Sequence, residues 1–385
     1  MKLQELAIYI HFPYCELKCP YCDFNSHVSK DLREKDLISC YKKELDFFLE
    51  KLGEKRILRS IFFGGGTPSL MKPENVQEII EYIKGHEALE VSNPEITLEA
   101  NPSSAEYQKF LQFKNAGVNR LSIGIQSLNP ANLKFLGRKH NEVEAKNALF
   151  MAKEIFNEFS FDLIYCLPNQ TLKEWESELN FAIENFAKNH LSAYTLTIEK
   201  GTPFFKMHQN KDFLLPQNED EFYFLTNNIL TEHGFSRYEI SNYAKNGAIS
   251  KHNTAYWKSI DYLGVGPGAH GRITINKERF QTYNFAIPEK YISAFETERH
   301  AMQNYTKLSK EDLIKEILLM NLRAFEGIDI SEIVKRFSIN LLEELNLSHL
   351  DAMQNANLLH FNDSEIKLSE AGLNVANAII SKLYN

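Results

Sequence analysis

Six times between Leu6 and Thr197, a short run rich in β-branched and aromatic residues is followed by a longer segment of helical period. The runs are Leu6 to His11, Ile57 to Phe63, Glu95 to Glu99, Arg120 to Ile125, Phe159 to Ile164 and Leu191 to Thr197. Strand-then-helix repetition of this kind points to parallel strands joined by right-handed helical crossovers. It predicts an α/β chain whose first part is an open or partial barrel of six β/α units, short of the complete eight. The clearest helical segment is Asp31 to Leu52, where Leu37, Tyr41, Leu45, Phe48 and Leu52 step by three or four residues and Gly53 supplies the stop. Ser103 or Ser104 is placed to cap the helix that Gly117 ends, and Thr171 the helix around Trp175.

The unusual residues recur at one place in this repeat. Cys15-Glu16-Leu17-Lys18-Cys19-Pro20-Tyr21-Cys22 follows the first strand, and Gly64-Gly65-Gly66-Thr67-Pro68-Ser69 follows the second. The third ends in Glu99-Ala100-Asn101-Pro102, the fourth in Gly124-Ile125-Gln126-Ser127 and the fifth in Asp162-Leu163-Ile164. In α/β barrels the loops at the carboxyl ends of the strands build the active site, so these segments are expected to surround one pocket.

From about Gln303 the texture changes to helices over Lys307 to Ala324, Ser331 to Phe337 and Leu341 to Met353. A hairpin over Asn357 to Asn362 and Glu365 to Leu368 follows, and then a last helix to about Leu383. That order resembles a winged helix. Its third helix carries Glu343, Glu344 and Asp351 without Lys or Arg, and phosphate contacts need cations. With a formal net charge of −8 and no basic patch, nucleic acid is an unsuitable partner. The divisions expected are 1–235 for the partial barrel with its site, 236–302 for an extension of the barrel, and 303–385 for the winged-helix-like, mostly helical domain. A chain of 385 residues with 43% hydrophobic content can fill a large core and a smaller one, and its 27 Phe and 17 Tyr imply aromatic-rich packing or a lined cavity.

Three clustered thiols are too few for a disulfide framework or for an ordinary structural zinc site, which closes four ligands. The opening MKLQELAIYIHF has neither a basic segment with a long apolar core nor a membrane-spanning stretch, so a reducing cytoplasm is expected, where thiols stay free. Thiolates bind iron-sulfur clusters, and three of them leave one iron of a 4Fe-4S cluster open to a small ligand. A zinc site completed by His11, Asp23 or His27 is the competing reading.

A C-x3-C-x2-C loop after the first strand, with a Gly-rich loop after the second, resembles the radical S-adenosylmethionine superfamily. Within it, YIHFPYCELKCPYCDFNSH, FFGGGTPSL, ITLEANPSS, NRLSIGIQSLNPANLKFLGRKH, FDLIYCLPNQT and YEISNYAKNGAISKHNTAYWKSIDYLGVGPGAHG resemble the oxygen-independent coproporphyrinogen III oxidase group. The resemblance implies that Cys15, Cys19 and Cys22 hold a 4Fe-4S cluster whose open iron binds S-adenosylmethionine, with Tyr9 and Tyr21 lining the cofactor. Gly65, Gly66, Thr67, Glu99, Gln126, Arg138 and Asp162 match the group's cofactor contacts. The glycine loop is expected to offer free peptide N–H groups to the cofactor's carboxylate. Cys40 and Cys166 match no cluster position and read as small buried hydrophobes.

Decarboxylating oxidases of this group carry another cysteine two positions after the third ligand and a long arm before the motif. Here that position is Phe24, and fourteen residues precede Cys15. CDFNSH and the run His252-Asn253-Thr254-Ala255-Tyr256-Trp257 instead resemble the HemW-type heme chaperone subgroup. That subgroup implies heme binding, delivery of heme to respiratory enzymes, and electrons from a flavodoxin- or ferredoxin-like donor; peripheral membrane contact and a homodimer are compatible with it. His252 is the candidate axial ligand, with Tyr256, Trp257, Lys251, Lys258 and Arg272 nearby, and a satisfied polar network is its alternative role. The competing function is oxidative decarboxylation of coproporphyrinogen III.

Overall fold

The computed structural model describes residues 3–104 and 106–384. Each of the six expected strands forms: β1 Gln4–Phe12, β2 Arg56–Gly65, β3 Leu89–Ala100, β4 Arg120–Gln126, β5 Glu158–Tyr165 and β6 His190–Thr195. They pair in sequence order and in parallel, with helices in the crossovers. The helix Glu34–Leu52 ends at Gly53 with φ 68, the left-handed stop that glycine adopts without strain. Thr171 and Glu174 form a capping box at the start of Leu172–Asn185. The helix expected to start after Ser103 or Ser104 starts later, at Tyr107 with Glu106 before it, and Pro102–Ser104 make a 3-10 turn.

The sheet continues beyond the repeat at both edges. Short strands β7 Ser236–Arg237 and β8 Asn242–Ala244 follow β6, while β9 Asp261–Val265 lies parallel to β1 on its other side. Antiparallel β10 His270–Ile275, β11 Glu278–Asn284 and β12 Met302–Lys307 then complete twelve strands in the order β12-β11-β10-β9-β1-β2-β3-β4-β5-β6-β8-β7. The seventh parallel strand, β9, was not expected from periodicity; DYLGV is too short to show a period on its own. The boundary expected at 303 cuts through β12, whose Met302 and Tyr305 pack on the large core, whereas Leu308 already packs on the second core. Lys307 ends that strand, and the following helix is Lys310–Asn321.

Alternation along the strands sorts the two faces. Leu6, Ile8 and Ile10 of β1, Leu121, Ile123 and Ile125 of β4, and Phe159, Phe161 and Leu163 of β5 join the helices in one core. The opposite face carries Tyr9, Ser60, Phe62, Thr97, Glu99, Ser122, Asp162 and Ser192. A buried parallel sheet is ordinarily apolar on both faces, so this polar inner face marks a cavity with a use.

The C-terminal module packs its own apolar core under Lys310–Asn321, Ile330–Phe337, Leu347–Asn355 and Ala376–Tyr384. Its expected hairpin gains a third strand, Ile328–Asp329. The two cores are joined by a buried ion cluster: Asp261 of β9 accepts from Arg279 at 2.5 Å and from Arg336 of the module at 3.4 Å, with Arg56 at 3.9 Å.

Candidate functional site

The cysteine loop leaves β1 and is held down by backbone. Gly66 N–H donates to Phe12 O at 2.7 Å and Thr67 N–H to Tyr14 O at 2.8 Å. A Cβ on Gly66 would meet Tyr14 O at 2.4 Å, so only glycine lets the two loops approach this closely. Gly65, at φ 109, turns its N–H to Glu99 Oε2 at 3.2 Å. The amides of Gly65, Gly66 and Thr67 are therefore all engaged. The expectation that they stay free for a carboxylate is corrected; they fix the thiol loop.

Around the thiols one network gathers most of the candidate residues. Thr67 Oγ1 donates to Cys15 Sγ at 3.4 Å and accepts from Asn101 Nδ2 at 2.9 Å. Arg138 Nη1 reaches Cys19 Sγ at 3.5 Å and Tyr21 Oη at 3.3 Å, while Nη2 donates to Asn101 Oδ1 and Gly124 O, each at 2.7 Å. Burial works against the Arg138 charge, but Tyr21 and Cys19 more than offset it and raise its pKa. Gln126 sits at φ 70, a conformation that costs a non-glycine residue energy and clusters at functional sites.

The strand ends carry two carboxyls. Burial first, then the neighbouring Asp162, pushes Glu99 up to about 8. Burial pushes Asp162 up to about 6, against a Ser192 hydrogen bond and the Arg138 charge. Tyr9 lies above its usual range through burial and then Glu99. Tyr194 exposes 38% of its surface yet is strongly raised by burial and then by Asp162, because that surface faces the interior of the barrel rather than bulk water. The arrangement is a water-reachable recess with a thiol loop at its mouth and proton-holding carboxyls in its wall.

The thiols fit a cluster better than a single ion. Cys15, Cys19 and Cys22 lie within one another's electrostatic reach; burial first, and the neighbouring thiols among the smaller causes, raise the pKa of Cys15 and of Cys22. Among the described residues, no group of three His, Cys, Asp or Glu converges as a single metal ion requires. His11, a proposed fourth zinc donor, has both ring nitrogens engaged, with Tyr9 Oη at 3.1 Å and Asn25 O at 2.8 Å. Three thiols within one another's reach are the donor set a multi-iron cluster takes. Cys40 and Cys166 are buried in the core, as expected.

His252 stands elsewhere. It is 1% exposed on the helix Lys251–Trp257, which closes the floor of the barrel, with Nδ1 bonded to Ser60 Oγ and Nε2 to Tyr256 Oη, each at 2.8 Å. Its ring stacks on Phe62 at 4.8 Å. Of the two roles expected for His252, axial ligand or member of a satisfied polar network, the geometry here is that of the second, and binding iron would require the ring to leave both bonds. The neighbouring cations are also taken: Arg272 pairs with Glu316 at 2.6 Å, Lys258 with Glu326, and Lys251 Nζ donates to Asn93 O.

Asn25 and Tyr194 were not singled out from sequence, and Asn101 only as part of the third strand end. Asn101 lies inside LEANPS directly after a strand, a signal that position alone would have supplied. A groove of about 650 Å³ lies at the other ends of the strands, between Gln4, Ile57 and Ile260 and the module's Ile328, Ile333 and Arg336. It lies away from the thiols, and among the described residues no His, Cys, Met or Tyr lines it.

Comparison with known proteins completes the description. Residues 9–182 match the radical SAM superfamily model, and residues 308–375 match the HemN C-terminal domain. The chain is 38% identical over 332 residues to mouse radical S-adenosyl methionine domain-containing protein 1, mitochondrial, covering 84% of this chain and 74% of that one. It is 40% identical over 278 residues to the heme chaperone HemW of Escherichia coli, covering 71% of this chain and 72% of that one. Among solved structures, E. coli coproporphyrinogen III oxidase (HemN) superposes over 100% of this chain and 91% of its own, with TM-score 0.79 and 20% identity, a likeness of fold.

Proposed function

The chain belongs to the radical SAM superfamily, in its HemN/HemW-type group, and from that premise we propose that it is a heme chaperone. It holds a 4Fe-4S cluster, S-adenosylmethionine and heme, works in the cytoplasm, and passes heme to respiratory enzymes. The observation that carries this reading is the cysteine loop. Two of its three thiols, Cys15 and Cys19, sit in one network with Thr67, Asn101 and Arg138, while Phe24, at the position of the oxidases' additional cysteine, faces solvent with 59% of its surface exposed.

In this reading Cys15, Cys19 and Cys22 ligate three irons. The cluster with its bound cofactor supplies one-electron chemistry, with electrons from a flavodoxin- or ferredoxin-like donor. Thr67 and Arg138 orient two of the thiolates by donating to sulfur. Glu99 and Asp162 offer hydrogen-bond acceptors or hold a proton in the wall, according to pH; Tyr9, Tyr21 and Gln126 shape the recess.

Two measurements on anaerobically reconstituted protein test the proposal. Iron and acid-labile sulfide in a near one-to-one ratio, with saturable hemin binding and no porphyrin formed from coproporphyrinogen III under reductant, are expected. Porphyrin formation would transfer the assignment to the decarboxylating oxidase. Zinc without sulfide would remove the radical SAM cofactor from the account.

A further inference from the structure

Most histidines of this chain have hydrogen-bonded rings; His270 does not. It is solvent-exposed, and among the described residues neither of its ring nitrogens takes part in a hydrogen bond. It opens β10 and lies over Tyr283 of β11, with ring centroids 4.4 Å apart and planes 29° apart. Burial first and then Arg272 hold its pKa below the usual range, which keeps the imidazole in the neutral, metal-binding form.

Its surroundings form a wall that runs back into the barrel. Ile273 packs in the core, so alternation places His270 and Arg272 on the opposite face. On that face Arg272 is registered with Tyr262, which meets Tyr256 edge-on at 4.6 Å. Tyr256 bonds to His252, whose ring stacks on Phe62, and Phe62 on Tyr9 at 6.1 Å. Between Tyr9 and His270 the registered residue of β9 is Gly264, where a Cβ would meet His270 O at 1.9 Å. The lane from Tyr9 to His270 therefore carries no side chain at this point and is flanked by aromatic rings.

The same rim is tied to the thiol loop. Asn25 Nδ2 donates to Pro267 O and Ala286 O, each at 2.9 Å, clamping the cysteine loop onto the segments on either side of His270. Phe24 and Ile287, each adjacent to a residue of that clamp, are 59% and 45% exposed. Clustered apolar exposure marks a contact surface. Heme asks for a flat apolar contact and a neutral imidazole with a free nitrogen, and this rim supplies both.

We propose that His270 is an axial ligand of heme, with the macrocycle lying over the lane at Gly264 and its edge on the Phe24 and Ile287 rim. This rests on the heme-chaperone reading and assigns it a residue. The test is a hemin titration of the full-length, cluster-loaded protein, followed by difference absorbance and EPR, for wild type, His270→Gly, His270→Ala and His252→Ala. Wild type is expected to bind heme saturably. Both His270 variants should keep the native circular dichroism and cluster content, lose the imidazole-ligand signature, and weaken binding by about tenfold or more. Added imidazole should restore the signature in His270→Gly, which a merely structural role would not allow. His270 variants that titrate like wild type overturn the proposal while the chaperone reading stands. So does a His252→Ala variant that alone loses the signature. Absence of heme binding in the wild type removes both the ligand and the reading.

Discussion

Glu95 and Glu99 lie on one strand, β3, point to the same inner face of the barrel, and have opposite fates. Glu95 accepts from Ser250 Oγ at 3.2 Å and from the Lys251 and His252 amides, each at 3.0 Å, with Arg120 at 3.7 Å. It caps the floor helix and is fully used by the fold. Glu99, four residues on, takes the Gly65 amide, and burial with Asp162 beside it makes its charged form costly. A carboxyl with its donors built in is architecture, whereas one held near a second carboxyl in a recess awaits a ligand or a proton. The floor of this barrel is structure and the rim is site.

The sharpest break of that contrast is at the rim. Cys19→Ala should lose essentially all cluster iron, measured by iron and sulfide analysis, while the unfolding midpoint of the cluster-free protein stays close to wild type. At the floor, Glu95→Leu removes the acceptor for three donors and leaves Arg120 without its carboxylate. We expect a loss of about 3–5 kcal/mol in urea unfolding, and a neutral result would erase the distinction between floor and rim. His252→Ala forfeits two hydrogen bonds and the Phe62 stack, for about 2–4 kcal/mol in the same assay.

Glu99→Gln should act with the opposite sign. The folded Glu99 holds its proton to about 8 and Asp162 to about 6, above their ordinary values of 4.5 and 3.8, so the folded state binds more protons than the unfolded one between those limits. Stability of the ligand-free protein therefore falls as pH rises from about 4 to about 8. Glu99→Gln should flatten that decline and gain about 1–3 kcal/mol at pH 8, seen by comparing urea curves at pH 5 and pH 8. A variant that loses stability at both pH values would show Glu99 to be architecture like Glu95. The smallest effect is expected from Phe24→Ser, within about 0.5 kcal/mol in urea unfolding, because its ring packs little within the chain.

Much of this division was legible along the chain. Strand-helix alternation located β1 to β6, and polar residues at their carboxyl ends located Cys15, Thr67, Glu99, Gln126 and Asp162 around one recess. The capping pattern identified Thr171, and Gly53 the end of the first long helix. Where reading failed, the missing quantity was a partner distant in sequence. His252 stayed open between axial ligand and satisfied network because Ser60, 192 positions away, cannot be foreseen as its partner. The glycine amides looked available because the carbonyls of Phe12 and Tyr14 come from another strand end.

The sequence by itself determined the repeat, the thiol spacing and the residue types at the strand ends, because these depend on side-chain periodicity and chemistry that neighbours in the chain specify. Only the tertiary structure decided which polar groups were consumed by folding and which were left over. Hydrogen-bond satisfaction and desolvation are sums over the contacts of a closed barrel, and those contacts separate Glu95 from Glu99, and His252 from His270.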